Sequence, residues 1–326
     1  MKVNFKKIGA IALAVVLVLM ALSMTACQKA EKTKINVAAI KGPTGMGMTK
    51  LMSDSDNGMT ANEYTFQVVS APTEIPGKIN SGEVDIAAMP TNLAATLYGK
   101  AKNISVIALN TKGVLYILEK GNEINSVADL RGKTIYTAGQ GSNPEYILKY
   151  LLEQAGLVVG TDVFVEFASA HDEVATLFAA GTADVVMLPE PNVSATLAKV
   201  EGAHVAINMS DAWAESGNGE LVMGCLVVRN DFLAENKEAV DKFLSEYKAS
   251  VEFVNSNVED ASSLCAEYGI IPAQAIAKAA IPRSALTYIA GADMQAAING
   301  YFGVLFAANA SSVGEAIPDE AFYYSK

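Results

Sequence analysis

Hydrophobic and polar positions divide the chain into three zones. The first is an almost unbroken apolar run over residues 8–24, preceded in residues 1–7 by three lysines and no acid. In the second, short apolar runs alternate with stretches of helical period. Strands are predicted over 34–40, 64–69, 84–88, 106–108, 114–119, 134–137, 164–167, 185–188 and 221–228, and helices over 46–53, 73–81, 93–100, 142–154 and 173–180. That alternation predicts mainly parallel sheets joined by right-handed crossovers. In the third zone Phe232, Val240, Phe243, Leu244, Tyr247, Val251 and Val254 fall on one helical face, and 258–268, 272–280 and 292–308 read likewise.

The middle zone is duplicated. Ser70-Ala71-Pro72-Thr73-Glu74 and Gly82-Glu83-Val84-Asp85 return as Ser169-Ala170-His171-Asp172-Glu173 and Gly181-Thr182-Ala183-Asp184, at an offset of 181 − 82 = 99 residues. The same offset carries Gly42 onto Gly141 and Lys34 onto Lys133. A spacing this long is a domain-sized duplication, and two α/β lobes facing each other enclose a cleft. The expected division is lobe one over 35–111 and 226–326 and lobe two over 112–225, with a two-stranded hinge near 110–113 and 223–226. The C-terminal helices are expected to pack on lobe one and brace it.

The first zone reads as a secretory signal over 1–26 followed by a polar tether over 27–34. Small residues before Cys27 resemble the lipobox of bacterial lipoproteins, which implies lipidation of Cys27 and an extracytoplasmic, membrane-tethered monomer; an uncleaved membrane anchor is the alternative. Removing 1–26 takes the formal charge from −11 to −14, since three lysines leave (−11 − 3). Such acidity argues against nucleic acid as a partner. Cys225 and Cys265 remain, in a strand-like and a helical run, and geometry alone decides whether they pair. The two histidines and the cysteines are not at ligand spacing, so neither a metal nor a cofactor is expected.

Leu130-Arg131-Gly132-Lys133-Thr134-Ile135, Gly181-Thr182-Ala183-Asp184-Val185, Glu190-Pro191 with Ala195, and the ending Ile317-Pro318-Asp319-Glu320-Ala321-Phe322-Tyr323-Tyr324 resemble substrate-binding proteins of ABC importers. The resemblance is to the group that includes alkanesulfonate, taurine, nitrate and thiamine-pyrimidine binders. It implies the two-lobed periplasmic-binding-protein-like fold of type II and a chain, not an enzyme, that closes on a small solute and hands it to permease subunits. A ligand-sensing subunit for a membrane receptor is the alternative. A thiamine-pyrimidine synthase is a remote one, because that branch uses a cysteine-rich iron site this chain lacks.

In such folds the loops leaving the carboxyl ends of strands line the crevice. The duplication pairs Lys41, Pro43, Thr44, Gly45 and Met46 with Gln140, Gly141, Ser142 and Asn143; Ser70 and Ala71 with the loop before His171; and Pro90, Thr91 and Asn92 with the loop that holds Glu190. Each ends at a helix start, where free N–H groups favour an acceptor. Thr44, Thr73, Ser142, Asn143 and Asp172 are equally good helix caps, and Gly42, Gly45 and Gly141 equally suit turns. Glu74 and Glu173, shared by both lobes, read as first-turn acids, and Asp85 and Asp184 as structural. The unshared residues point to ligand. Lys41 is the only cation in these loops, and the Glu190 carboxylate suits an amine or ring N–H. His171 reads more as a rim histidine than a contact, and His204 as a surface one. Trp213, the sole tryptophan, either stacks on a planar ligand or covers the lobe edge. The expected solute is small and polar, neutral or zwitterionic, with nitrogen donors.

Overall fold

The computed structural model describes residues 32–325; the apolar leader and Cys27 lie outside them. The first half of the chain gives strand β1 (Lys34–Ile40), helices α1 (Pro43–Met46) and α2 (Thr49–Asp56), β2 (Glu63–Val69), α3 (Ile75–Asn80), β3 (Ile86–Pro90), α4 (Thr91–Ala101) and β4 (Ile104–Lys112). It then crosses into β5 (Leu115–Glu119), β6 (Thr134–Ala138), α5 (Asn143–Gln154), β7 (Phe164–Ala168), α6 (His171–Ala179), β8 (Val185–Pro189), α7 (Asn192–Leu197), β9 (His204–Asn208) and α8 (Met209–Glu215). After a second crossing come β10 (Val222–Arg229), α9 (Asn230–Glu235), α10 (Lys237–Ser256), α11 (Val258–Glu267), α12 (Gln274–Ala280), β11 (Leu286–Ile289) and α13 (Gly291–Ala308).

Two sheets result, ordered β11-β4-β10-β3-β1-β2 and β7-β6-β8-β5-β9. In the first, β1 pairs in parallel with β2 and β3, and β10 lies antiparallel between β3 and β4. In the second, β6 pairs in parallel with β7 and β8, and β5 lies antiparallel between β8 and β9. Each sheet is therefore the same five-strand pattern with one antiparallel insert, and sheet one carries β11 as an extra edge. The sheets are mixed at their pairings, although most strands in each point one way. The offset survives in three dimensions: β3 and β8 begin at Ile86 and Val185, and 185 − 86 is 99.

The central strands are buried along their length: Ile86, Ala87, Ala88 and Met89 in β3, and Val186, Met187 and Leu188 in β8, have no exposed surface. Continuous apolar runs of this kind suit strands covered on both faces. β9 and β11 are not in the sequence-based expectation; they are short, and all but one residue of each is only part-buried. Cys225 and Cys265 are both free and buried, in separate hydrophobic clusters.

One expectation needs correction. The return crossing is not at 223–226, because β10 is paired to sheet one from its first residue, with Val222 opposite Lys112. The link lies in the glycine-containing stretch before Leu221, where Lys112 and Glu220 form a 2.9 Å ion pair between the two crossings. Gly113 must be small here, since a Cβ would sit 2.1 Å from Ser210 Oγ and 2.6 Å from a Leu221 methyl. The C-terminal helices pack on lobe one as expected, and two of them reach lobe two as well. α10 and α11 pack on α2, but α12 also meets α7 and α13 meets α5, both in lobe two. One apolar cluster accordingly runs through both lobes, from Leu109 and Tyr301 to Ile147 and Trp213.

Candidate functional site

The register of the antiparallel inserts shows which sheet ends meet. Leu115, the first residue of β5, lies opposite Pro189, the last of β8; Val222, the first of β10, lies opposite the end of β4. Both crossings thus leave and enter at the carboxyl ends of the parallel strands, so the loops at those ends face one another.

In lobe one the first loop is tied down by its neighbours. Gly42 N donates to Ile270 O at 3.0 Å, Lys41 N to Val69 O at 3.1 Å, and the fully buried Asn110 gives Nδ2 to Thr44 O at 3.1 Å. Gly45 packs against Ile40 O, where a Cβ would clash at 2.2 Å. Met46 is fully buried in the core, so its side chain serves packing. Lys41 and Ser70 are exposed, while Pro43, Thr44 and Ala71 are half-buried. Asn92 donates Nδ2 to Ser312 O at 3.4 Å. Following Pro90, Thr91 is fully buried and its hydroxyl has no partner of good geometry, only the weak thiol of Cys225 beside it.

Lobe two closes its first loop differently. Gly139 adopts φ 83°, Ser142 Oγ donates back to Gly139 O, and Gly141 N donates to the buried Glu145 carboxylate. Gln140 and Gly141 are exposed and Ser142 is half-buried. Asn143 is 7% exposed, and its Oδ1 has no partner. At the start of α6 the half-buried His171 likewise leaves Nδ1 without a partner. Burial holds its imidazole below the ordinary 6.5, against the upward pull of Asp172, so it is neutral at pH 7. Unsatisfied buried polar atoms are uncommon and call for an explanation. Thr91, Asn143 and His171 are at these facing loops, and Ser210 Oγ is beside Gly113 at the first crossing.

The shared acids do what a first-turn acid should. Glu74 accepts from Ser70 N and Ala71 N at 3.1 and 2.8 Å, and Glu173 accepts from Ser169 N at 2.9 Å. Asp85 is structural, gripping Asn36 N at 2.9 Å and Arg229 at 2.8 Å, whereas Asp184 is exposed.

Two of the unshared candidates are held by the protein itself, and for Trp213 this is the second of its two readings. The Trp213 ring is fully buried between Tyr150 and Tyr301, at centroid distances of 5.1 and 5.7 Å, so it seals the seam between α5, α8 and α13 and presents no free face for stacking. Glu190 offers no free carboxylate either. Arg283 Nε donates to its Oε1 at 2.7 Å and Ser194 Oγ does so at 2.9 Å, leaving the side chain with 0% exposure. Burial raises the Glu190 carboxyl above its ordinary value, and the hydrogen bonds from Arg283 and Ser194 oppose the rise. Arg283 was missed because it lies in the 3-10 turn Ile281–Arg283, outside the duplicated motifs and with no local pattern to mark it.

A concavity of about 610 Å³ lined by Glu119, Lys133 and Asp184 lies at the other end of sheet two, where β6 and β8 begin. Its buried acid, Glu119, is already used to accept Glu123 N and Ile124 N at 3.2 and 3.0 Å. None of the atoms lining it is a buried polar group without a partner, whereas Thr91, Asn143 and His171 of the facing loops are.

Comparison with known proteins agrees with this architecture. An ABC transporter structure from Parabacteroides distasonis superposes with TM-score 0.78 at 22% identity, covering 90% of this chain and all (100%) of that one. The periplasmic aliphatic sulphonate binding protein SsuA from Escherichia coli gives TM-score 0.68 at 19% identity over 86% and 88% of the two chains. The alkanesulfonate-binding protein SsuA from Xanthomonas axonopodis pv. citri, bound to MOPS, gives 0.61 at 17% over 86% and 94%. These likenesses establish the periplasmic-binding-protein-like fold. The family described as NMT1/THI5 like matches residues 66–261, well over half of the 326, from inside β2 to α11 and so through both lobes; the chain belongs to the NMT1/THI5-like family.

Proposed function

We propose that this chain is the solute-binding component of an ABC importer, held outside the cytoplasm by a lipid on Cys27, and that it carries a small polar solute between its lobes. The observation that carries the reading is the set of unpartnered polar atoms on facing loops: Thr91 Oγ1 from lobe one, Asn143 Oδ1 and His171 Nδ1 from lobe two. A solute with hydrogen-bonding edges on both sides satisfies them and bridges the lobes, so binding energy favours the closed form. Family membership and the binding and transport roles of the proteins whose fold it shares support the same role.

The charge arrangement supports a neutral or zwitterionic solute bearing N–H groups. Arg283 is held by Glu190, and Lys41 stands exposed at the rim. An isolated sulfonate or nitrate needs more uncommitted positive charge than that. The thiamine-pyrimidine synthase reading gains no support from Cys225 and Cys265, buried in different clusters.

A thermal-shift screen of amines, pyrimidines, amino acids and sulfonates, followed by native mass spectrometry of the hits, tests the reading. The expected result is stabilisation by an N–H-bearing solute that is recovered unchanged, one per chain. Stabilisation by sulfonates alone overturns the charge argument, and release of an altered product overturns the binding role.

A further inference from the structure

We infer that Arg283, Glu190, Ser194 and Tyr116 form a clasp that holds the two lobes together without any solute. Arg283 belongs to lobe one, because the strand that follows it, β11, pairs with β4. The other three residues are in β5, in α7 or just before it, all in lobe two. Arg283 Nε donates to Glu190 Oε1 at 2.7 Å, and its Nη2 to Ser194 Oγ at 2.8 Å. Ser194 in turn gives its hydroxyl to Glu190 Oε1 at 2.9 Å and its N–H to Oε2 at 3.2 Å. From the adjacent strand the Tyr116 hydroxyl donates to Arg283 O at 2.6 Å.

Both Glu190 oxygens are satisfied, and every partner is a protein atom, so no solute atom is needed to complete the arrangement. The carboxylate has 0% exposure while the arginine side chain has 32%. Parting the lobes removes the arginine and admits water to the carboxylate in one step, which makes the contact two-state. The duplication has no second copy of it: the positions 99 residues earlier than Glu190 and Ser194 are Thr91 and Ala95. The clasp is therefore a one-sided addition to a symmetric scaffold, and it sets how often the empty cleft opens to admit a solute.

The inference rests on the facing loops being the cleft but not on which solute it holds, so it is tested on the full chain with no solute added. Hydrogen exchange is followed in three regions: the cleft loops at 139–145 and 70–74, and the core strand β3. Arg283→Ala and Glu190→Gln are expected to speed exchange in the cleft loops by about tenfold or more, the scale of losing hydrogen bonds to a charged group, with β3 unchanged. Arg283→Lys falls between. Unaltered cleft loops in both variants overturn the clasp. Should β3 also lose protection, the double variant Arg283→Met with Glu190→Gln decides, since it leaves no unpaired buried charge. Faster cleft exchange with β3 protected then upholds the clasp, and cleft and β3 rates rising together overturn it. Failure of the solute screen leaves this readout untouched.

Discussion

Asp85 and Asp184 hold the same place in the two lobes, yet one is a buried anchor and the other an exposed acid. The cause is Arg229, which reaches Asp85 from the end of β10; the equivalent insert in lobe two, β5, ends in Glu119 instead. Glu74 and Glu173 by contrast do the same work in both lobes, accepting the N–H groups ahead of the helix. Thr91 and Glu190 diverge furthest, one left without a partner and the other locked to Arg283. The duplication thus preserved the parts that begin helices and close sheets, while residues at the seam between lobes were free to differ.

The largest effect should come from the seam itself. Trp213→Ala is expected to cost about 3–5 kcal/mol, the usual range for emptying a buried aromatic site, measured by denaturant unfolding. If the lobes then unfold in separate transitions, the ring is what makes them one cooperative unit. Asp85→Ala should cost about 1–3 kcal/mol by leaving Asn36 N without its acceptor and Arg229 with only its exposed partner Asp231, whereas Asp184→Ala should stay within about 0.5 kcal/mol. Equal costs in the same assay would erase the asymmetry argued above. Once a solute is known, Asn143→Ala is expected to weaken its affinity by about 5–100-fold, equivalent to about 1–3 kcal/mol for an unsatisfied partner, read by calorimetry. Undiminished affinity would remove Asn143 from the site.

The pH dependence gives a smaller effect with a definite sign. His171 has a folded-state pKa below its unfolded 6.5, so the unfolded chain takes up the extra proton and stability falls as pH drops from about 6.5 through the folded value. Glu190 works oppositely: its raised pKa means its contribution is present below the ordinary 4.5 and lost as pH rises through the folded value. In denaturant titrations His171→Gln should flatten the loss seen below about pH 6.5; an unchanged slope would assign it to other groups. Last, Glu74→Gln and Glu173→Gln should each cost about 0.5–1 kcal/mol, and nearly equally, since each acid accepts two hydrogen bonds ahead of its helix: Glu74 from Ser70 N and Ala71 N, Glu173 from the N–H and hydroxyl of Ser169. A large inequality in thermal unfolding would break the structural equivalence of the two copies.

Local pattern made much of this legible. The runs that became β1, β2, β3, β6 and β8 are apolar, bounded by turn residues and repeated at one offset, so burial and periodicity agreed. The crevice loops followed from the direction of those strands. What escaped notice depends on distance in sequence. Arg283 is 93 positions from Glu190, and nothing near it marks an arginine that will cross to the other lobe. Trp213 looked available because a single tryptophan near a hinge has two plausible uses; only the approach of Tyr301 from α13 decides between them. The return crossing was drawn too late, although Gly217-Asn218-Gly219-Glu220 just before the apolar run is the better signal.

The placement of β4 has a consequence for how the chain is made. Its sheet neighbours, β10 and β11, both come from residue 222 onward, so while lobe two is being synthesised β4 has neither. Lobe two, whose strands all lie between Leu115 and Asn208, can complete its sheet first; lobe one must wait with two unfinished edges, exposed to mispairing, until the last third of the polypeptide arrives. Order of assembly is then the reverse of order in sequence, and a chaperone that shields this molecule has most to cover in the half that emerges first.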